Sequence, residues 1–200
     1  MKPLIAIVLV CLAPVVLSLL AYYVPALGLR PEGTVNYGTL VNPQRALPAS
    51  QSLPLTTLDG QPFDLHSLQG KWVLVTADAA ACPESCVTKL FILRNSHASQ
   101  GKNVERVTRV WFVTDNGTVS DQILEAYKGT IIVRVDPRQL AAYLTPEAQN
   151  ADSAAAQAAL AAPMWIIDPH GNLMMQFPEK ADPISVRKDI SKLLYNSRIG

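Results

Sequence analysis

Two cysteines, Cys82 and Cys86, are the residues of this sequence whose type and spacing best suit chemistry. They follow an apolar, β-rich segment at residues 72–76 and precede a helical pattern of apolar residues at 87–94. We therefore predict a strand, a short loop and a helix that begins at the thiols, with Pro83 in its first turn, where a missing N–H costs nothing. The free N–H groups and positive dipole end of such a helix stabilise a thiolate, which lowers its pKa and raises its reactivity.

The spacing of the pair also assigns a role to each thiol. Side chains at i and i+4 of a regular helix have Cβ atoms ~5–6 Å apart, whereas a disulfide needs about 3.8 Å. Cys82 must therefore adopt a non-helical cap geometry, as the exposed attacking thiolate, and Cys86 is the resolving thiol. Glu84 adds a negative charge that offsets part of the dipole effect. An inert disulfide and two buried thiols remain alternatives, and Asp78 either influences the pair or is an exposed loop acid.

The composition limits the classes of partner. The 200 residues allow one domain plus an appendage. Because 17 Lys and Arg nearly balance 16 Asp and Glu, the formal charge is +1, and nothing in this balance indicates nucleic acid or an acidic substrate. Of the three cysteines, Cys11 is left without a partner in the sequence. We interpret it as a small apolar residue within a membrane segment.

The N-terminal segment has the length and composition of a membrane anchor. Residues 3–29 contain no charged residue, and roughly 20 apolar residues suffice to cross a bilayer. Lys2 precedes the run, and Tyr22 and Tyr23 lie near its far end, where aromatic rings favour the interface. We predict an uncleaved anchor in a bacterial-type inner (plasma) membrane, with the rest of the chain facing the periplasm. A cleaved signal peptide, with a cleavage site at residues 26–28, is the alternative.

Strand and helix patterns alternate along the remainder of the chain. Residues 53–70 predict a β-hairpin, and residues 145–162 an Ala-rich helix or ordered insertion. Such alternation implies βαβ units with right-handed crossovers. Further central strands are predicted at 72–77, 107–114 and 131–135, and a strand, a hairpin partner and a final helix at 163–167, 172–177 and 182–195.

This order of elements resembles the thioredoxin fold. The match lies in the cysteine pair at a strand-to-helix junction, in Pro163 at the start of a later strand, and in the Pro-Gly turn of the last hairpin. The resemblance implies that Pro163 is cis and faces the cysteines as part of the catalytic site. It also implies an α/β domain with a mixed central sheet, flanking helices and an N-terminal β-hairpin, preceded by one transmembrane helix. We assign residues 1–30 to the anchor, 31–52 to a linker or surface strap, and 53–200 to this domain.

The C-x-x-x-C spacing and the predicted first hairpin narrow the resemblance to the Sco/SenC group, which takes part in cytochrome c oxidase assembly. Sco proteins bind copper through two cysteines and a distant histidine, but Leu160 occupies the position of that histidine here, and Val87 replaces a proline after the second cysteine. His97 is about 16 Å along the helix from Cys86, and His170 about 20 Å from the Pro163 end of its strand. His66 has no route to the thiols.

Three functions follow from this resemblance. The leading one is thiol–disulfide exchange through Cys82 and Cys86 in biogenesis of the oxidase copper site, with an oxidase subunit or another assembly factor as partner. The second is Cu(I) carriage by the same two cysteines, because Cu(I) accepts two thiolates. Met164 is a candidate third ligand, although a core position is the simpler interpretation. The third is a non-catalytic assembly scaffold.

Overall fold

The structure is a computed structural model, and it describes residues 2–24, 28, 35–148 and 150–199. The chain divides into two compact units, Met1–Val35 and Asn36–Gly200. The helices are α1 (Lys2–Tyr23), α2 (Glu84–Ala98), α3 (Asp121–Ala126), α4 (Pro137–Leu144), α5 (Ser153–Ala161) and α6 (Pro183–Asn196). The strands are β1 (Thr39–Ala46), β2 (Leu55–Thr57), β3 (Pro62–Phe63), β4 (Trp72–Asp78), β5 (Val107–Val113), β6 (Ile131–Arg134), β7 (Met164–Ile167) and β8 (Asn172–Phe177).

The first unit is built on α1, whose 22 residues include Pro14. Its stretch Pro3–Tyr23 is long and apolar enough to cross a membrane, so the described residues contain one N-terminal helix of the length and composition that the predicted anchor requires. The hydroxyl of Ser18 donates to the carbonyl of Pro14 at 2.7 Å, which satisfies the polar side chain within the helix. The predicted cleavage site at 26–28 lies, apart from Gly28, outside the described residues.

The second unit is an eight-stranded mixed sheet in the order β1-β8-β7-β4-β5-β6-β2-β3. Strands β4, β5 and β6 are parallel, whereas β7, β8, β1, β2 and β3 pair antiparallel with their neighbours. All seven residues of β4 are buried because helices cover both faces of the sheet centre. This arrangement confirms the predicted thioredoxin-like fold.

Two hydrophobic layers hold the helices on the sheet. On one face, Leu140 and Leu144 of α4 and Leu160 of α5 pack against Val75 and Trp165. On the other face, Leu93 of α2 and Ile190 of α6 pack against Leu74 and Ile166. Each of these residues exposes at most 2% of its surface, so α2 is fixed along the sheet with its first turn at the end of β4.

The segment at 31–52 differs from the predicted linker, because residues 39–46 form strand β1 at the edge of the sheet. Thr39 pairs with Gln176 of β8, and Ala46 pairs with Asn172. Six of its eight side chains are exposed and the irregular stretch between the two paired ends contains Pro43, a pattern that carries little periodic signal. Residues 31–34 of the expected linker lie outside the described part of the chain.

Candidate thiol–disulfide site

Cys82 and Cys86 form a disulfide with an S–S distance of 2.04 Å and a Cα–Cα distance of 5.1 Å. Cys86 is the third residue of α2, whereas Cys82 lies outside the helix with φ +43°, a left-handed conformation that side chains disfavour. This is the non-helical geometry that the spacing requires. The backbone N–H of Cys82 donates to the carbonyl of Ala79 at 3.0 Å, which closes the loop after β4.

Pro83 is the N-cap of α2 rather than a residue of its first turn. Its ψ of 173° is extended, and its carbonyl accepts the first helical hydrogen bond, from the N–H of Val87, at 3.0 Å. The helix therefore begins at Glu84, an acidic residue in the first turn, where a carboxylate is favoured by the helix dipole. This carboxylate shares the positive end of the helix with the cysteine pair.

The pair is more buried than the sequence predicts. Cys82 exposes 6% of its surface and Cys86 none, because loops that are distant in sequence cover them. Cys82 is therefore the member of the pair that a partner can reach first. The pair shares a hydrophobic cluster with Ala80, Leu90, Trp111, Val113, Val119 and Tyr127.

Asp78 is buried and ion-paired, which resolves the alternative left open by the sequence. It ends β4 with 4% of its surface exposed, and its Oδ2 accepts from Lys89 Nζ at 3.0 Å. Lys89 also donates to the carbonyls of Ala77, at 2.9 Å, and Ala161. Burial lowers the pKa of Lys89, and the charge of Asp78 opposes that effect.

Sequence reasoning missed Lys89 as a site residue. A signal was present, because Lys89 lies three positions after Cys86 and next to Leu90, on the side of α2 that the cysteine predicts to be buried. Its ammonium group joins the end of β4 to the carbonyl that ends α5. Lys89 thus fixes the strand and the loop on both sides of the site.

Pro163 is buried directly before β7, one step beyond the pair formed by Met164 and Thr76 of β4. Within the described residues the only cis peptide bond is Asn42–Pro43, so the cis bond expected at Pro163 from the resemblance is not observed. Ala162 instead has helical dihedral angles (φ −83°, ψ −56°), and the chain makes its turn there. The structure brings Pro163 to the β4 end of the sheet near Lys89, but it shows no hydrogen bond to the cysteines.

Leu160 and the candidate ligands Met164, His66 and His97 each have contacts of their own in the structure. Leu160 is fully buried in the core. Met164 packs in the cluster of α6, apart from the cysteine cluster. His66 contacts Asp64 at 2.8 Å, and His97 Nε2 contacts the Val107 carbonyl oxygen at 3.1 Å.

The described residues include no group of three or more His, Cys, Asp or Glu that could hold a metal ion. His170 lies in the turn between β7 and β8 and is exposed, so none of the three histidines is a ligand beside the pair. The residues present do not fit a copper site of two cysteines and a histidine. The two sulfurs of the reduced pair remain as soft ligands.

A groove of about 500 Å³ begins at the first turn of α2. Glu84 and Ser85, which lie between the cysteines, form one wall, and Ala161 and Ala162 before Pro163 form another. Ala181, in the loop between β8 and α6, closes the third side. Neither cysteine lines the groove itself, and the charged residues Lys89, Glu179 and Lys180 line it together with the small side chains.

Comparisons with known proteins agree with this geometry. A copper-bound ScoI from Arabidopsis thaliana has a TM-score of 0.55 at 15% identity, over 80% of this chain and 99% of that one. A thiol:disulfide interchange protein from a Bacteroides species gives 0.53 at 16%, over 78% and 91%. Apo Sco1 from Thermus thermophilus gives 0.51 at 18%, over 83% and 98%.

These likenesses concern the fold, which is that of Sco proteins. No curated protein matches the sequence. A family model matches residues 72–197, well over half of the chain, and this region contains the cysteine pair, the buried Asp78–Lys89 pair and the last hairpin. The chain therefore belongs to the family described as the transmembrane-like, thioredoxin-like, C-terminal domain.

Proposed function

We propose that this protein is a membrane-anchored thiol–disulfide exchange protein that acts through Cys82 and Cys86. The observation that carries the proposal is the asymmetry of the pair at the start of α2. Cys82 has accessible surface and a left-handed backbone, and Cys86 is fully buried in the helix. A sulfur that a partner can attack, next to one that is shielded, is the arrangement that exchange through a mixed disulfide requires.

In the reduced state, the Cys82 thiolate attacks one sulfur of a partner's disulfide. A bond forms between Cys82 Sγ and that sulfur, the partner's S–S bond breaks, and its second sulfur leaves as a thiolate. Cys86 then attacks Cys82 Sγ as a thiolate, the mixed disulfide breaks, and the Cys86 proton passes to the departing partner. Two electrons move to the partner, and the observed Cys82–Cys86 disulfide is the oxidised product. The reverse sequence oxidises a dithiol partner.

The surroundings of the pair support this chemistry. We propose that the partner's cysteine-bearing segment lies along the groove between the first turn of α2 and Ala161–Ala162, which begins at the residues between the two cysteines. The buried charge pair of Asp78 and Lys89 keeps the walls of that groove in place, since Lys89 contacts the carbonyl of Ala161. From the resemblance to Sco proteins, we propose a periplasm-facing domain whose partner is a copper-site subunit of cytochrome c oxidase or another assembly factor.

Cu(I) carriage is the second candidate function, and the fold favours it, because Arabidopsis ScoI was solved with copper bound. Two thiolates suffice for Cu(I), and reduction of the disulfide supplies them. A histidine-dependent site is not part of this proposal, since Leu160 is in the core. A scaffold role requires neither reduction of the pair nor metal.

The test uses the full chain in lipid nanodiscs, with oxidised glutathione as the probe disulfide. We expect reduced Cys86→Ser to form a glutathione adduct, detected by intact mass, about tenfold or more faster than the matched variant Cys82→Ser, because the remaining thiol is the accessible one. Equal rates, or a wild-type disulfide that dithiothreitol cannot reduce in the folded protein, would contradict the exchange function.

The same preparations separate the copper alternative. Reduced wild type is titrated with Cu(I) against a competing chelator, with Cys82→Ser as the matched control. Tight one-to-one binding that is lost in Cys82→Ser would support a carrier. No binding, together with a reducible pair, leaves exchange as the function, and no binding with an unreactive pair indicates the scaffold.

A further inference from the structure

A second cavity, of about 400 Å³, lies away from the cysteine pair between the sheet and the C-terminal half of α6. Trp72, at the start of β4, and Leu193, on α6, provide apolar walls. Asp189 and Asp168 provide polar ones. A cavity of this size, mostly apolar with a few convergent polar groups, is typical of small-molecule sites. Nothing in thiol exchange uses it.

A β-bulge in strand β8 places two methionines in the wall of this cavity. On β7, Ile166 pairs with Met175 of β8 and Ile167 pairs with Leu173, so Met174 is an extra residue without a partner. Neighbouring residues of a regular strand point to opposite faces, but the bulge turns both Met174 and Met175 into the same hydrophobic cluster and the same cavity. Flexible thioether side chains beside an indole ring suit a flat or aromatic guest.

Asp189 places an incompletely paired carboxylate in the apolar wall. The residue exposes 6% of its surface, and its Oδ2 accepts from the N–H groups of Tyr37 and Gly38 at 2.9 and 2.8 Å. Its other oxygen, Oδ1, retains accessible surface and receives no hydrogen bond from any described residue. Because this oxygen is accessible and accepts from no protein group, it can accept a charge-assisted hydrogen bond from a ligand in the cavity.

The remaining charged groups of the cavity leave this oxygen free. Asp168 is already satisfied, because it accepts from the backbone N–H groups of His170 and Asn172 and from the Asn172 amide. Lys192 lines the cavity but is exposed, and it forms no ion pair with Asp189 among the described residues. The cavity therefore combines a mostly apolar interior with one carboxylate oxygen, Asp189 Oδ1, that accepts no hydrogen bond from the described residues.

We propose that this cavity binds a small organic cation, a primary amine on an aryl body, whose ammonium group donates to Asp189 Oδ1 while the ring lies between Trp72 and the methionines. The volume suffices, since a cavity of about 150 Å³ accommodates benzene. A neutral guest of the same shape lacks the positive charge that attracts the carboxylate, and an anionic guest is repelled by it, so both bind more weakly. The site is independent of the cysteine pair.

The test is isothermal titration of the full chain, in nanodiscs of zwitterionic lipid, with 2-phenylethylamine as the probe and empty nanodiscs as the blank. Asp189→Asn keeps an oxygen for the N–H groups of Tyr37 and Gly38 but presents an amide donor to the cavity. We expect this change to weaken binding about tenfold or more. Glu125→Gln, an exposed change of equal charge on α3, is the matched control and leaves binding unchanged.

A cavity-filling variant and an uncharged probe test the site independently of Asp189→Asn. Leu193→Trp fills the cavity while keeping Asp189, and it abolishes binding if the probe occupies this space. The isosteric alcohol 2-phenylethanol binds about tenfold or more weakly than the amine. Equal binding of the two probes, equal binding to wild type and Asp189→Asn, or no saturable binding to wild type would each overturn the proposal.

Discussion

At the scale of single residues, Cys82 shows why the disulfide needs its position before the helix. A left-handed backbone costs a non-glycine residue about 1–2 kcal/mol, and here it brings the Cα atoms of the pair to 5.1 Å. The C-x-x-x-C spacing predicts a departure from helical geometry at Cys82, and the structure has the left-handed backbone at that residue. The less buried cysteine of the pair is therefore the residue with the unfavourable backbone, and the fully buried one belongs to the regular helix.

Lys89 is the residue whose replacement tests the architecture of the site. Lys89→Met keeps the aliphatic stem but leaves Asp78 buried without its counter-charge. Removing one partner of a buried ion pair costs about 3–5 kcal/mol, because an unpaired charge remains in the interior. We expect a loss of this size in the free energy of unfolding, measured by urea denaturation with tryptophan fluorescence.

The matched double variant Asp78→Asn/Lys89→Met removes both charges. We expect it to be less destabilised than the sum of the two single variants, since each single variant leaves an isolated buried charge and the double variant leaves none. A loss below about 1 kcal/mol for Lys89→Met, the range of surface ion pairs, would show that the pair contributes little. Additive effects would show that the two side chains act independently.

At the scale of elements, helix α2 carries the disulfide at its N-terminal end and a titratable residue, His97, near its C-terminal end. It begins at Glu84 with the disulfide and ends near His97, whose ring contacts the Val107 carbonyl at the start of β5. Burial lowers the pKa of His97 from 6.5, and the nearby Arg109 cation lowers it further, while its backbone hydrogen bonds oppose the change. His97 is thus a packing residue of the helix end.

This lowered pKa predicts an acid sensitivity with a definite sign. Because the unfolded chain binds the His97 proton more readily than the folded one, stability from this group is present above pH 6.5 and falls as the pH drops toward the lowered folded pKa. His97→Gln keeps a donor for Val107 without titrating. We expect it to reduce the loss of unfolding free energy between about pH 7 and about pH 5.

Paired denaturation curves at the two pH values provide the measurement. NMR titration of the His97 ring in the wild type supplies an independent value for its pKa. An equal loss of stability in both proteins, or a ring that titrates at or above 6.5, would contradict the assignment of the acid sensitivity to His97.

At the scale of the whole molecule, α1 is an apolar appendage to a domain that has its own core. We expect the mature protein to retain this segment, so that its intact mass corresponds to the full sequence. Leu12→Lys, near the middle of α1, costs roughly 2.5–3.5 kcal/mol of insertion free energy and should shift protein from the membrane to the soluble fraction in carbonate extraction. Leu12→Val is the control. A mass that lacks the first residues would establish the signal-peptide alternative instead.

The sequence by itself determined the features that depend on local pattern. Short windows of sequence show the apolar run of α1, the strand–loop–helix around the cysteines, and the alternation of strands and helices. They do so because the spacing of apolar residues indicates which side of an element is buried. The Ala-rich helix α5 and the last hairpin, β7 and β8, follow from the same reasoning. The sequence also excluded a histidine from the position of Leu160.

Tertiary structure decided whatever depends on residues that are distant along the chain. Lys89 is buried because Ala161, 72 positions away, accepts from it, and Cys82 is covered in part by Val119 from another loop. Strand β1 was missed because an exposed edge strand that contains Pro43 has almost no periodic pattern. The cavity beside Asp189 depends on a bulge at Met174. Such features arise only when separate segments pack together, and no short window of the sequence contains both partners.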